Sequence, residues 1–184
     1  MNQYFVDFYH NWSNKANGII GNSLAEVYDK YMTLFVIYNN LYNQIPTKLI
    51  SKGIAVPDKI YDNNAATDFT IKLLGADEFM EELTSKNLDN DIQTIIDLID
   101  QEIFHIKIRH GQYSRNDDLR ILDELKSANN SKKAVAILKV LYYVRCNIFH
   151  GSKDFQEYQR LLVEPLIRII EIINPFLYAK LNEN

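Results

Sequence analysis

Apolar residues recur at three- and four-residue steps along most of the chain, the spacing that lines one face of an α-helix. The clearest run is Ser23 to Gln44, where Leu24, Val27, Tyr31, Leu34, Tyr38 and Leu41 form a single stripe. Ser23 followed three residues later by Glu26 is a capping-box pattern, and Pro46 lies just past the far end. Residues 45–62, with Pro46, Gly53, Pro57 and Asp58, predict a connecting loop, and two short helices, Asn64 to Leu74 and Ala76 to Thr84, flank Gly75. Ile92, Ile95, Ile96, Ile99, Ile103 and Ile106 carry a helical repeat from Asp91 to Ile108, too long for an ordinary strand despite its β-branched content. A polar turn, RHGQYSRN, leads to a helix over about Asp117 to Ala128, which breaks at Asn129-Asn130. Ser131 to Phe149 is apolar round most of its circumference, as a central helix with neighbours on several sides would be, and Gly151 is placed to end it. The last helix, about Phe155 to Leu181, contains Pro165 and Pro175, and Pro165 predicts a kink or split. No segment alternates as a strand does.

These elements predict an all-α, single-domain, up-and-down helical bundle with additional short helices, spanning residues 1–184, with 1–22 as an N-terminal extension packing on the bundle. Composition agrees: 47% of residues are hydrophobic, and six Gly and four Pro leave few breakers among 184 residues. The lone cysteine, Cys146, excludes an internal disulfide and a cysteine zinc cluster. No apolar run approaches the roughly 18 residues of a membrane span, and the N-terminus lacks a basic-then-apolar leader pattern, so the expected address is the cytoplasm and no membrane partner is expected. Charge is uneven: residues 131–184 hold eight Lys/Arg and five Asp/Glu, a net of +3 within a chain of net −4. Broad coating of nucleic acid is disfavoured, yet this basic third suits a phosphate chain.

The stretch with most chemistry is VRCNIFHGSKDF, Val144 to Phe155. If the helix ends near Gly151, His150 stands at its C-terminus, where the macrodipole favours the imidazolium and Arg145 opposes it. That competition suits an acid–base group, while Arg145 can hold a phosphate bidentately. The plainer readings are a capping His150, and an Arg145 paired with Glu157 or Glu164; Cys146 reads as core packing. His105, Arg109 and His110 form a second cluster, with His105 and Arg109 sharing a helix face, best read as a solvated helix end. Scattered histidines offer no metal-ligand spacing, and neither a Gly-rich phosphate loop nor a nucleophile elbow occurs, so neither metal nor cofactor is expected. Tyr28, Tyr31, Tyr38 and Tyr42 read as core or a dimer seam rather than base-stacking groups. The acidic run Asp77, Glu78, Glu81, Glu82 reads as a solvated face.

Arg145-Cys146-Asn147-Ile148-Phe149-His150-Gly151 resembles the Arg-x(4 to 6)-His signature of HEPN domains, small all-helical proteins widespread in prokaryotic toxin–antitoxin and antiviral systems. Lys153 occupies the place of a Lys that often follows, and FVIYNNLYNQ, Phe35 to Gln44, is similar to the first long helix of one subgroup. The resemblance implies a homodimer with two motifs facing each other in a composite cleft, acting as a metal-independent endoribonuclease. In that case Arg145 and His150 are catalytic, and Asn147, Gly151 and Lys153 support the site or bind RNA. Cys146 stands where the family usually has a polar residue, which makes Asn147 the candidate for a supporting hydrogen bond. Many such domains instead bind RNA or a partner protein without cleaving; a nucleotidyltransferase-type antitoxin would be one such partner.

Overall fold

The computed structural model describes residues 3–109, 112–149 and 156–183. Among them the chain is an all-α bundle, with one two-residue antiparallel pairing, β1 (Ile108–Arg109) with β2 (Gln112–Tyr113). No described helix is long and apolar enough to cross a membrane.

α1 (Gln3–Gly18) lies on α2 (Leu24–Tyr42), and its Phe5 and Tyr9 rings stack on Tyr178 of α10 (Arg160–Asn182). α2 opens with the capping box, Ser23 and Glu26 closing each other's backbone donors. Its length is packed along α10, and Asn174 Nδ2 donates to the Leu34 carbonyl at 3.0 Å to fix that crossing. The tyrosines of α2 are core residues whose hydroxyls reach other elements, as burial of a phenol requires. Tyr31 donates to the Leu141 carbonyl at 2.7 Å, Tyr28 to Gln159 at 2.6 Å, and Tyr38 to the Ala66 carbonyl.

Residues 45–62 are not all loop. Ile45–Ser51 forms α3, with Pro46 in its first turn, where the missing N–H costs nothing. Gly53, at φ 73°, closes this helix, Ile54 N reaching the Leu49 carbonyl. A continuous helical stretch follows: α4 (Asp62–Asn64), a π-helical turn (Ala65–Phe69) and α5 (Thr70–Leu74). In the wider turn, the Ala65 and Ala66 carbonyls take hydrogen bonds from Thr70 and Tyr38. Gly75, at φ 84°, makes the corner into α6 (Ala76–Ser85).

α7 (Asp89–Asp100) stops eight residues before the isoleucine repeat runs out. Glu102 adopts φ 58°, Glu102 N bonds the Ile99 carbonyl and Ile103 N that of Leu98, a Schellman closure built on a residue other than glycine. Beyond it Phe104 and Ile106 are buried from an extended segment, not a helix. α8 (Arg115–Leu125) is capped by Ser114, whose hydroxyl accepts from Asp117 N. Asn129 caps α9 (Asn130–Phe149), its side chain accepting from Lys132 N.

α10 follows a short 3₁₀ turn (Glu157–Gln159) and runs through both prolines without a split. An interior proline costs about 3 kcal/mol. Against that stand Leu162, Val163, Leu166, Ile169, Ile170, Ile173 and Leu177, all buried, at roughly 1.5–3 kcal/mol each. Packing outweighs the two missing hydrogen bonds.

Candidate active site

α9 leaves the core at its carboxyl end. Ala134, Ala136, Ile137, Leu138, Val140, Leu141 and Val144 are buried, whereas Arg145 and Cys146 are half-buried and Phe149 is 64% exposed. The Arg145 guanidinium sits over Phe35 at 5.2 Å and over Phe149 at 5.1 Å from the ring centroids. Phe35 is buried on α2 and Phe149 is exposed, so the cation touches both a core ring and an outward one. Such contacts are worth about 0.5–2 kcal/mol each and hold the planar group in a set orientation.

Neither glutamate weighed for Arg145 pairs with it. Glu157 and Glu164 are both taken by Arg160, at 2.6 and 3.1 Å. Among the described residues no carboxylate lies within ion-pair distance of Arg145; its Nη1 is 3.9 Å from Cys146 Sγ. A partly exposed guanidinium whose N–H edges have no anionic partner among those residues is suited to an incoming phosphate.

Beside it, Asp62 accepts from Tyr42 at 2.8 Å and from Tyr142 at 2.9 Å. Burial, then the Asp62 carboxylate, push both phenols well above the ordinary tyrosine range, while the Arg145 charge pulls Tyr42 the other way. Tyr42 thus lies in the fields of Asp62 and Arg145 together, and stays a neutral donor at physiological pH. Tyr31, fully buried under Arg145, is likewise raised, first by burial.

Asn147 is 3% exposed and donates to the Ile106 carbonyl at 2.7 Å. It fastens the segment before β1 to the last turns of α9, and its amide faces protein rather than solvent. On that segment His105 does not share a helix face with Arg109: α7 has ended, and Arg109 falls in β1. His105 Nδ1 is 2.8 Å from Oδ2 of Asp118, a fully buried carboxylate whose Oδ1 accepts from Ile106 N at 2.9 Å. The imidazole is stacked on Tyr113, with 3.4 Å between centroids. Lys107 pairs with Asp117 at 3.3 Å and lies over Tyr143.

Comparisons with known protein families, curated proteins and solved structures give no match to this chain. Function has to be read from the residues themselves. His150, Gly151 and Lys153 lie outside the described residues, as does His110. Of the other site residues expected from sequence, Arg145 and Asn147 stand on opposite sides of α9, about 160° apart round the helix. Asp62, Tyr142 and Asp118 escaped sequence reasoning, and Tyr42 was read there only as core or a dimer seam. Their partners are distant in the chain, 80 residues for Asp62 and Tyr142, and no local spacing announces them. The acidic run on α6 is a solvated face, with Glu78 paired to Lys180 at 2.7 Å. Among the described residues no group of three His, Cys, Asp or Glu is arranged to hold a metal ion.

Proposed function

We propose that this chain is a metal-independent endoribonuclease of HEPN type, working in the cytoplasm within a toxin–antitoxin or antiviral defence system. The observation that carries it is the Arg145 guanidinium, gripped between Phe35 and Phe149 at the end of α9, without an anionic partner among the described residues. It stands five residues ahead of His150 in the motif Arg-x4-His.

RNA brings its own nucleophile. A base removes the 2′-hydroxyl proton, the oxygen attacks phosphorus, and the pentacoordinate phosphorane gathers negative charge. Arg145 stabilises that charge, and an acid protonates the departing 5′-oxygen, leaving a 2′,3′-cyclic phosphate and a 5′-hydroxyl. Arginine stays protonated, so His150 is left for proton transfer; a homodimer with a composite site supplies two copies of each. A cognate antitoxin protein would restrain the activity.

The test is incubation of wild type, Arg145→Ala and His150→Ala with total RNA in excess EDTA, with the cut ends mapped. Wild-type-only cleavage leaving cyclic phosphates supports the proposal. Full activity in either variant refutes it, and RNA or protein binding without cleavage assigns the noncatalytic module instead.

A further inference from the structure

A carboxylate flanks the Arg145 guanidinium. Asp62, at the start of α4, is exposed, and each of its oxygens accepts from a phenol: Oδ1 from Tyr42 on α2 at 2.8 Å, and Oδ2 from Tyr142 on α9 at 2.9 Å. Anchors from two helices fix the plane of the carboxylate, and each oxygen keeps a second lone pair for another donor. Tyr142 stands three residues before Arg145 on the same face of α9, about 5–6 Å away between β carbons. Tyr42 stands two turns after Phe35, the ring in contact with Arg145, on the same face of α2. Burial raises the Tyr42 pKa most, Asp62 raises it further and Arg145 lowers it, so both charges act on one hydroxyl. A fixed anion and a fixed cation thus stand side by side toward the carboxyl end of α9, Asp62 exposed and Arg145 half-buried.

Resting on the ribonuclease reading above, we propose that Asp62 sets base specificity, holding a guanine beside the phosphate that Arg145 binds. The two charges sort the ends of a nucleotide: the phosphate is repelled by the carboxylate and taken by the guanidinium, which leaves the base for Asp62. A carboxylate fixed in its plane accepts two parallel N–H bonds, so its partner must offer two donors side by side. On the Watson–Crick edge guanine alone does so, through N1–H and the 2-amino group. Adenine and cytosine set one amino group beside a ring-nitrogen acceptor, and uracil sets one N–H between two carbonyls; each would turn a lone pair toward a carboxylate oxygen. Tyr42 and Tyr142 are positioning residues, since loss of either lets the carboxylate rotate.

The experiment maps the bases flanking every cut made in total RNA by wild type, Asp62→Asn and Tyr142→Phe in EDTA, with thermal melts of each. Wild-type cuts are expected to be enriched at guanine over the composition of the RNA. In Asp62→Asn the ratio of guanine to adenine cuts is expected to fall about 10–100-fold, because an amide keeps one acceptor and sets its NH₂ against a guanine donor. Tyr142→Phe is expected to lower the same ratio by less. An aspartate that only held the fold would slow all cuts alike, so an unchanged ratio in Asp62→Asn overturns the inference. Wild-type cleavage without guanine enrichment overturns it too, and in both cases the ribonuclease reading stands. A wild type that cuts no RNA overturns both. Should the variants fail to fold, the wild-type chain decides on two oligoribonucleotides that differ by inosine for guanosine at one cut site. Inosine lacks the 2-amino donor and is expected to be cut about tenfold more slowly, and equal rates refute the assignment.

Discussion

Asn147→Ala removes the one donor on the Ile106 carbonyl among the described residues, in a place where Asn147 is 3% and Ile106 0% exposed. A buried acceptor left unpaired costs about 1–3 kcal/mol. Truncation also empties a few tens of cubic ångströms, which adds on the order of 1 kcal/mol. The sum is roughly 2–4 kcal/mol, and for a chain of this size that lowers the melting temperature by about 4–15 °C. Asn147→Leu separates the two contributions, because it refills the space and leaves only the carbonyl unpaired. Asn147→Asp goes further, setting a carboxylate against a carbonyl. Its protonated form can donate to Ile106, so the folded-state pKa rises above the unfolded value of about 3.9. The stability of that variant is therefore full below that value and is lost as the pH rises through the folded pKa. Urea unfolding followed by far-UV circular dichroism measures all three, with the slope unchanged if the native and unfolded states keep their compactness. A midpoint for Asn147→Ala equal to that of wild type would show that Asn147 does not fasten the 104–106 segment.

Two further outcomes follow from the same structure. Tyr28, Tyr31, Tyr38, Tyr42 and Tyr142 all hold their protons above the ordinary range, chiefly through burial, Tyr28 being raised to about 12. Their stabilising effect is complete below the unfolded value of about 10 and disappears as the pH climbs past it, over about 10 to 12 for Tyr28. Phenolate absorbance should therefore rise in two phases, the later one together with loss of helix; all 12 tyrosines ionising in one step with the helices intact would contradict this. Gly75→Ala puts a side chain at φ 84° between α5 and α6 and is expected to destabilise by about 1–3 kcal/mol, read as a lowered urea midpoint; a neutral effect would mean that the corner relaxes freely.

Where a helix end was written in side-chain chemistry, it could be read in advance. Ser23 with Glu26, Gly75 and the Asn129-Asn130 break all mark real boundaries. The end of α7 had no such mark, because Glu102 takes the left-handed conformation usually left to glycine, and Ile103 and Ile106 keep helical spacing although Ile103 is exposed and Ile106 is buried from a non-helical segment. Pro46 does follow the end of α2 but also opens α3, where a loop was expected, and Pro165 is carried inside a helix whose buried face outweighs it. Arg145 could be singled out as a candidate because its motif is local in sequence. The stacking of Arg145 on Phe35, the two tyrosine hydrogen bonds to Asp62 and the His105–Asp118 pair could not, since each joins elements brought together only by packing.

The π-helical turn at Ala65–Phe69 holds one more residue than an α turn would. Loss of a single residue there can be absorbed by closing the stretch into ordinary α turns, with Thr70, Ile71 and Leu74 left seated in the core. Because the wider turn spends its extra residue within a single rotation, everything upstream would keep its phase round the helix axis. Asp62 would still face Tyr42 and Tyr142, and only the hydrogen bonds that Thr70 and Tyr38 make to the Ala65 and Ala66 carbonyls would be redrawn. The turn is thus a buffer: chain length can change by one residue at this point without turning the carboxylate away from the end of α9.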